Sequence, residues 1–327
     1  MDKTPTQHNC IIVPLFTGIW KKKNFTEETA KVSVIEQLRE VIGTLRPTVA
    51  PSTHKNRVTA VNTLERFFQE EMPDREVVTA GSITADTIKA FERWSFDQNY
   101  KANYVAQNMS NLRKLIKEVR SDGGELFSLV KTSNCQTEKK AVSEETIKKI
   151  REAQLASARD ILAKDIFLFC FFCMGMPLID AAFLKKSQLK AGYITYFRHK
   201  THRQVRVKII PEIKEILDRL TDDESPYLLP ILTSENHEEA MRQYYQFYQR
   251  YRRALGKISP QLGLEGKLTS YTPRHSWATI AFKKGIDINT ISRALGHANT
   301  NITMTYIREI EDYQLTDANL VVCNAVQ

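Results

Sequence analysis

Four stretches of helical periodicity follow one another between residues 32 and 120 with no strand pattern between them, and that run limits what the first part of this 327-residue chain can become. Val32, Ile35, Leu38, Val41, Ile42 and Leu45 recur every three or four residues, as do Val58, Val61, Leu64, Phe67 and Phe68. Ile88, Phe91 and Trp94 follow Thr84, and Val105, Met109, Leu112, Leu115, Ile116 and Val119 form the fourth stripe. Such spacing gathers the apolar side chains on one face of a helix. Short amphipathic helices bury those faces against one another, so the pattern predicts a small helical bundle. Thr26-Glu27-Glu28 reads as the start of the first helix, with acids at its positive end. Arg46–Ser52, with two prolines, breaks it, and the next helix runs from about His54 to Glu71. The fourth, Ala102 to Arg120, ends at the loop Ser121-Asp122-Gly123-Gly124.

Residues 131–142 are polar and lack periodicity, which marks a linker. Beyond it the pattern changes. Ser143-Glu144-Glu145 is an N-cap followed by first-turn acids, and an apolar helix covers 161–174. Tyr193 to Lys200 and Val205 to Ile210 alternate as two strands joined by Thr201-His202-Arg203-Gln204. Helices are expected from Pro211, from Glu238 to Leu255, from Pro273 and over Ile288–Leu295. The aromatic run Tyr244, Tyr245, Phe247, Tyr248, Tyr251 has helical spacing and reads as core. The chain is thus expected to be mainly α with a small antiparallel β-hairpin or sheet. The expected division is an extension with one helix over 1–47, a helical domain over 48–130, a linker over 131–142 and a mixed α/β domain over 143–327.

Charge narrows the partners. Net charge is +9, with 19 Lys and Arg against 16 Asp and Glu in residues 1–137 and 28 against 22 in 138–327. Both halves are positive, which suits contact with a polyanion along the whole length. On the fourth helix Arg113, Lys114, Lys117 and Arg120 form a candidate DNA face. The start MDKTPTQHNC is unlike a secretory signal, and the longest apolar run, Ile166 to Met176, is too short to span a bilayer. A reduced cytoplasmic setting and no membrane are expected. Cys170 and Cys173 have the spacing of a metal or redox pair, but they lie in that apolar run with no second Cys/His pair beside them, and they read as helix packing.

The chemistry gathers near the end of the chain. Thr272-Pro273-Arg274-His275 is followed by Leu295-Gly296-His297 and, nine residues after His297, by Tyr306. An Arg can grip phosphate oxygens in two prongs, a His can donate hydrogen bonds or move protons, and a Tyr can be a nucleophile. Pro273 suits the first turn of a helix, whose positive end favours an anion beside Arg274. Gly296 is placed to end its helix in a left-handed cap.

The order and spacing of these residues closely resemble the tyrosine recombinase (phage integrase) family. The resemblance implies a helical core-binding domain and a mixed α/β catalytic domain closing as a C-shaped clamp on duplex DNA. It implies strand cleavage through a 3′-phosphotyrosine, then rejoining, with no metal or nucleotide cofactor. On that reading Tyr306 is the nucleophile, with Tyr313 a weaker rival, and Arg274 is the family's second catalytic Arg. His297 contacts the scissile phosphate, and Lys200 is the general acid carried on the hairpin. Tyr271 stands where the family has His in its HxxR motif, and His275 supports or packs.

One departure matters most. In Gly175-Met176-Pro177-Leu178-Ile179-Asp180, Pro177 stands where the family carries its first catalytic Arg. Arg198 is the expected substitute, because it lies two residues before Lys200 and so shares its strand face. Arg206, opposite Arg198 if the hairpin closes tightly, comes next, and Arg203 after it; both are also candidate DNA contacts. The expected partners are duplex DNA, further protomers in a tetramer on paired sites, and accessory DNA-bending proteins, in the nucleoid. The rival expectations are a DNA-binding relative without catalysis and a relaxing topoisomerase.

Overall fold

The computed structural model describes residues 32–73, 77–133, 141–297, 299–304, 319 and 323–324. The chain divides into two compact units, Met1–Thr137 and Glu138–Gln327.

The first unit is helical. Helix α1 (Val34–Leu45) begins where the Ser33 side chain accepts from the Ile35 amide at 3.3 Å. The start expected at Thr26 lies outside the described residues. Helix α2 (Pro51–Glu71) begins three residues earlier than expected, because Pro51 supplies the first helical position, where its missing N–H costs nothing. Thr84 caps α3 (Ala85–Asp97), with reciprocal bonds to Thr87 of 3.2 Å each. Helix α4 covers Ala102–Val119. The apolar stripes of all four meet in one core. Phe67 lies 5.4 Å from Phe91 and 5.7 Å from Trp94, ring to ring. Val34, Ile35, Leu38 and Ile42 of α1 sit in that same core, although the sequence sets α1 apart in a segment ahead of residue 48.

The second unit opens with α5 (Glu144–Glu152), capped by Ser143. Its centre is α6 (Ala158–Phe172), with Ile166, Phe167, Phe169 and Cys170 fully buried. A helix apolar on nearly every side has to be the middle of a core. Burial there pushes the thiols of Cys170 and Cys173 up, away from thiolate chemistry. Helix α7 (Leu178–Ala182) leads to an antiparallel sheet of β1 (Leu189–Lys190), β2 (Tyr193–Phe197) and β3 (Gln204–Lys208), in that order. Ile194, Tyr196, Val205 and Val207 face inward. Both long strands are shorter than the alternation suggests, and two-residue β1 carries too little pattern to be seen in a sequence.

Helices α8 (Pro211–Leu220) and α9 (His237–Gln261) cover the same core. On α9, Phe247 and Tyr251 are buried and stacked 5.9 Å apart, as a core reading requires, whereas Tyr245 is exposed. Helices α10 (Thr272–Lys283), α11 (Ile288–Leu295) and α12 (Thr300–Met304) follow. Ala278 and Ala281 of α10 pack on Ile291 and Leu295 of α11, which brings the start of α10 beside the end of α11.

Candidate active site

Arg274 sits in the first turn of α10, behind Pro273, and is only 3% exposed. Its Nη1 donates to the Gly175 carbonyl at 2.9 Å and its Nη2 to the Leu295 carbonyl at 2.6 Å, and the same Nη2 lies 2.9 Å from His297 Nε2. Gly175 permits this. It has φ of +68°, and a Cβ there would sit 2.8 Å from Arg274 Cα. A side chain at 175 would therefore be strained in its backbone and in collision with Arg274.

Gly296 plays the matching part on α11. Its φ of +63° ends the helix in a left-handed cap, with His297 N–H bonded to the Ser292 carbonyl at 3.0 Å. An added Cβ would meet Arg198 Cγ at 2.9 Å and Val205 Cγ2 at 3.0 Å. Close approach of the hairpin thus depends on this glycine as well. The hairpin uses it to hold three consecutive carbonyls. Arg198 Nη1 donates to Leu295, Thr201 Oγ1 to Gly296 at 3.1 Å, and Arg203 Nη1 to His297 at 2.8 Å.

Arg198, 7% exposed, reaches the same Leu295 carbonyl as Arg274. Its Nε pairs with Asp180 Oδ2 at 2.6 Å, and Asp180 Oδ1 accepts from the His199 amide at 2.8 Å. Asp180 lies on α7, three residues after Pro177. Burial raises the Asp180 carboxyl, while Arg198 and the His199 N–H pull the other way. Pro177 itself is the N-cap of α7, with extended backbone. The element that lacks an Arg therefore holds one from the hairpin, through its own carboxylate.

His297 is 6% exposed, with Nδ1 2.7 Å from Thr303 Oγ1. Burial first, then Arg274, Arg198 and Lys200, push its pKa down to about 3, so the ring is neutral at physiological pH.

The other expected residues divide. Lys200 is exposed in the turn, near enough for its charge to act on His297. Strand β2 ends at Phe197, so alternation does not carry through to Lys200, and Arg198 is buried while Lys200 is not; the shared face expected of them is corrected. Arg206 does not face Arg198. It pairs with Thr195 and stacks 3.7 Å over the Tyr193 ring, while the Arg198 amide meets the Arg203 carbonyl at 2.8 Å. Tyr271 is 51% exposed, its ring 5.9 Å from that of half-buried His275, and so stands outside the buried corner. Arg113, Lys114 and Lys117 are exposed on α4. Arg120 is not a solvated cation: it pairs with Asp122 at 2.5 Å and donates to the Ala80 and Ile83 carbonyls at 2.7 and 2.8 Å. Tyr306 and Tyr313 lie outside the described residues. Asp180, Thr201 and Thr303 are polar residues of the corner to which sequence reasoning gave no role. A lone Asp in Leu178-Ile179-Asp180-Ala181-Ala182 is the one signal that called for a buried partner.

The fold is that of DNA-bound integrases of known structure. A lambda integrase (75–356) dimer bound to a COC′ core site matches with a TM-score of 0.65 at 15% identity, covering 84% of this chain and 95% of that one. The Tn1549 transposon integrase in complex with transposon right-end DNA matches with a TM-score of 0.65 at 12% identity, covering 89% and 100%. At the level of sequence, a model of the phage integrase family matches residues 140–312, more than half of the chain. The chain belongs to that family, the tyrosine recombinases. It is 28% identical over 176 residues to the tyrosine recombinase XerA of Pyrococcus furiosus, a match that takes in 52% of this chain and spans 57% of that relative's length. It is 24% identical over 253 residues to XerC of Natranaerobius thermophilus, covering 74% of this chain and 83% of the relative. Among the described residues no helix is long and apolar enough to cross a membrane.

Proposed function

We propose that this protein is a site-specific DNA recombinase, the integrase of a mobile element, which cuts and rejoins duplex DNA through a 3′-phosphotyrosine on Tyr306. The observation that carries the reading is the convergence of Arg198 and Arg274 on one carbonyl beside neutral His297. Attack by the Tyr306 oxygen on phosphorus builds charge on the nonbridging oxygens. Two preorganised guanidiniums in a dry corner are placed to meet it. Arg198 takes the part of the first family Arg, held at its Nε by Asp180 and at its Nη1 by the Leu295 carbonyl. Lys200 supplies the proton to the departing 5′ oxygen. The bond energy stays in the phosphotyrosine, so rejoining needs neither metal nor nucleotide.

The substrate is duplex DNA in the cytoplasmic nucleoid. The exposed cations of α4 bind its backbone, and a tetramer forms on paired sites with accessory DNA-bending proteins. Incubation with a nicked candidate site tests the chemistry: a covalent protein–DNA band is expected from the wild type. Tyr306→Phe binds DNA and forms no band. A band that survives in Tyr306→Phe and disappears in Tyr313→Phe reassigns the nucleophile. Pro177 favours a second reading, a DNA-binding relative that does not cleave. DNA binding by the wild type with no band on any nicked site decides for it.

A further inference from the structure

We infer that Thr303, His297 and Arg274 form a positioning relay, in which the Thr303 hydroxyl fixes the proton of His297 on Nδ1 so that the bare Nε2 holds the Arg274 guanidinium in place. The consequence for cleavage rests on the recombinase reading above; the proton assignment follows from geometry alone. A guanidinium has only donors. Arg274 Nη2, 2.9 Å from His297 Nε2, can only donate, so Nε2 must carry a lone pair. A neutral imidazole has one ring proton, which must then be on Nδ1. Nδ1 faces Thr303 Oγ1 at 2.7 Å, so the hydroxyl oxygen accepts. Thr303 is 0% and His297 6% exposed, so this bond cannot be exchanged for one to bulk water without opening the corner. Burial and three neighbouring cations favour the same neutral ring.

The resemblance to the family places His297 on the scissile phosphate. In the DNA-free protein the relay gives it a second part, because a lone pair on Nε2 attracts the Arg274 guanidinium and holds it ready. Thr303 stands at the far end of the relay, on α12, three residues before Tyr306. One hydroxyl therefore joins the segment that leads to the nucleophile with the Arg that grips the phosphate.

Thr303→Val keeps the shape of the side chain and removes the acceptor. The ring then has either an unsatisfied Nδ1 proton or, after the proton moves, two donors facing each other at Arg274. Cleavage of a nicked site is expected to fall about tenfold to a hundredfold, the loss that removing the hydrogen-bond partner of a metal-bound imidazole typically causes. Thr303→Ser restores most of it. The second readout is the ring itself. In full-length protein carrying 15N-histidine, long-range proton–nitrogen spectra distinguish the two tautomers, and the His297 signals are identified by their loss in His297→Gln. The expected result is an Nδ1–H ring in the wild type and in Thr303→Ser, changed in Thr303→Val. An Nε2–H or charged ring in the wild type overturns the relay, as does an unchanged ring and unchanged cleavage in Thr303→Val. If no DNA is cleaved by any form, the recombinase reading fails while the spectra still decide the relay.

Discussion

At the centre of the first unit Phe67, Phe91 and Trp94 pack ring against ring, whereas the polar corner of the second buries two guanidiniums, a carboxylate, an imidazole and a hydroxyl. The first arrangement is favoured by leaving water. The second is opposed by leaving water and persists because nearly every polar group meets a fixed partner. In the aromatic core, shape is what matters, and any well-fitting apolar set would serve. In the corner each residue is held by chemically specific neighbours, so on the proposed function replacement should change reactivity as well as stability. The contrast also explains why α10 starts and α11 ends there. A helix N-terminus and a run of helix-end carbonyls are the backbone's own means of holding an anion and a cation.

The largest expected effect comes from Arg198→Ala. It leaves Asp180 buried without its partner, at a cost of about 3–5 kcal/mol, and removes one of the two guanidiniums proposed to meet the phosphate. Phe91→Ala should cost a similar amount, about 3–5 kcal/mol, for a different reason, the cavity left behind. A second change separates the causes. Adding Asp180→Leu to Arg198→Ala should recover much of the stability in urea unfolding without recovering cleavage. If Arg198→Ala cleaves normally, Arg198 is a structural ion pair only. Arg274→Ala is next. Losing one preorganised donor typically costs about 3–4 kcal/mol in the transition state, or a hundredfold to a thousandfold in rate. Cleavage within about tenfold of wild type at equal stability would make Arg274 structural.

The same contrast governs what the sequence makes legible. The helices of the first unit follow from apolar spacing alone, because the partner of each stripe is simply another stripe. Gly296, Arg274 and His297 are visible through local motifs, and Arg198 through the absence of an Arg at Pro177. What the sequence hides is pairing between distant segments. Thr201 and Arg203 hold carbonyls more than ninety residues away, and Thr303 looks like any helix threonine. Backbone carbonyls carry no side-chain signature at all, so the grip of the hairpin on Leu295-Gly296-His297 has none. Arg206 and the Lys200 face were misplaced for a related reason. Period-two alternation holds within a strand, and β2 stops at Phe197 before either inference applies.

Acid should separate the two units again, with a smaller effect. His297 has a folded pKa of about 3, below its ordinary value of 6.5. Between those values the unfolded chain binds a proton that the folded chain refuses. Its contribution to stability is therefore complete above pH 6.5 and declines as pH falls toward 3. Asp180, with its raised carboxyl, contributes in the opposite direction, which moderates the slope. Urea unfolding followed by Trp277 fluorescence, with Trp20 and Trp94 replaced by Phe, should show the loss on acidification. His297→Gln should flatten it. An unchanged slope in that variant would mean that the ring is not held neutral.

The smallest effects should come from α4, where exposed and engaged cations lie on one helix. Arg113, Lys114 and Lys117 are exposed, so they are available to phosphates. Each alanine variant should weaken DNA binding about equally on every sequence and lower the slope of log affinity against log salt by about 1, since each phosphate contact releases a counterion. Arg120→Ala should behave differently. Its guanidinium bonds Asp122 and the Ala80 and Ile83 carbonyls, so its loss should leave the salt slope unchanged and lower stability by about 1–3 kcal/mol. The reverse outcome, a shallower slope in Arg120→Ala alone, would move the DNA face off the exposed side of α4. A flat salt plot for the wild type would remove DNA from the account of this helix altogether, because a basic surface that meets a duplex cannot do so without displacing its ions.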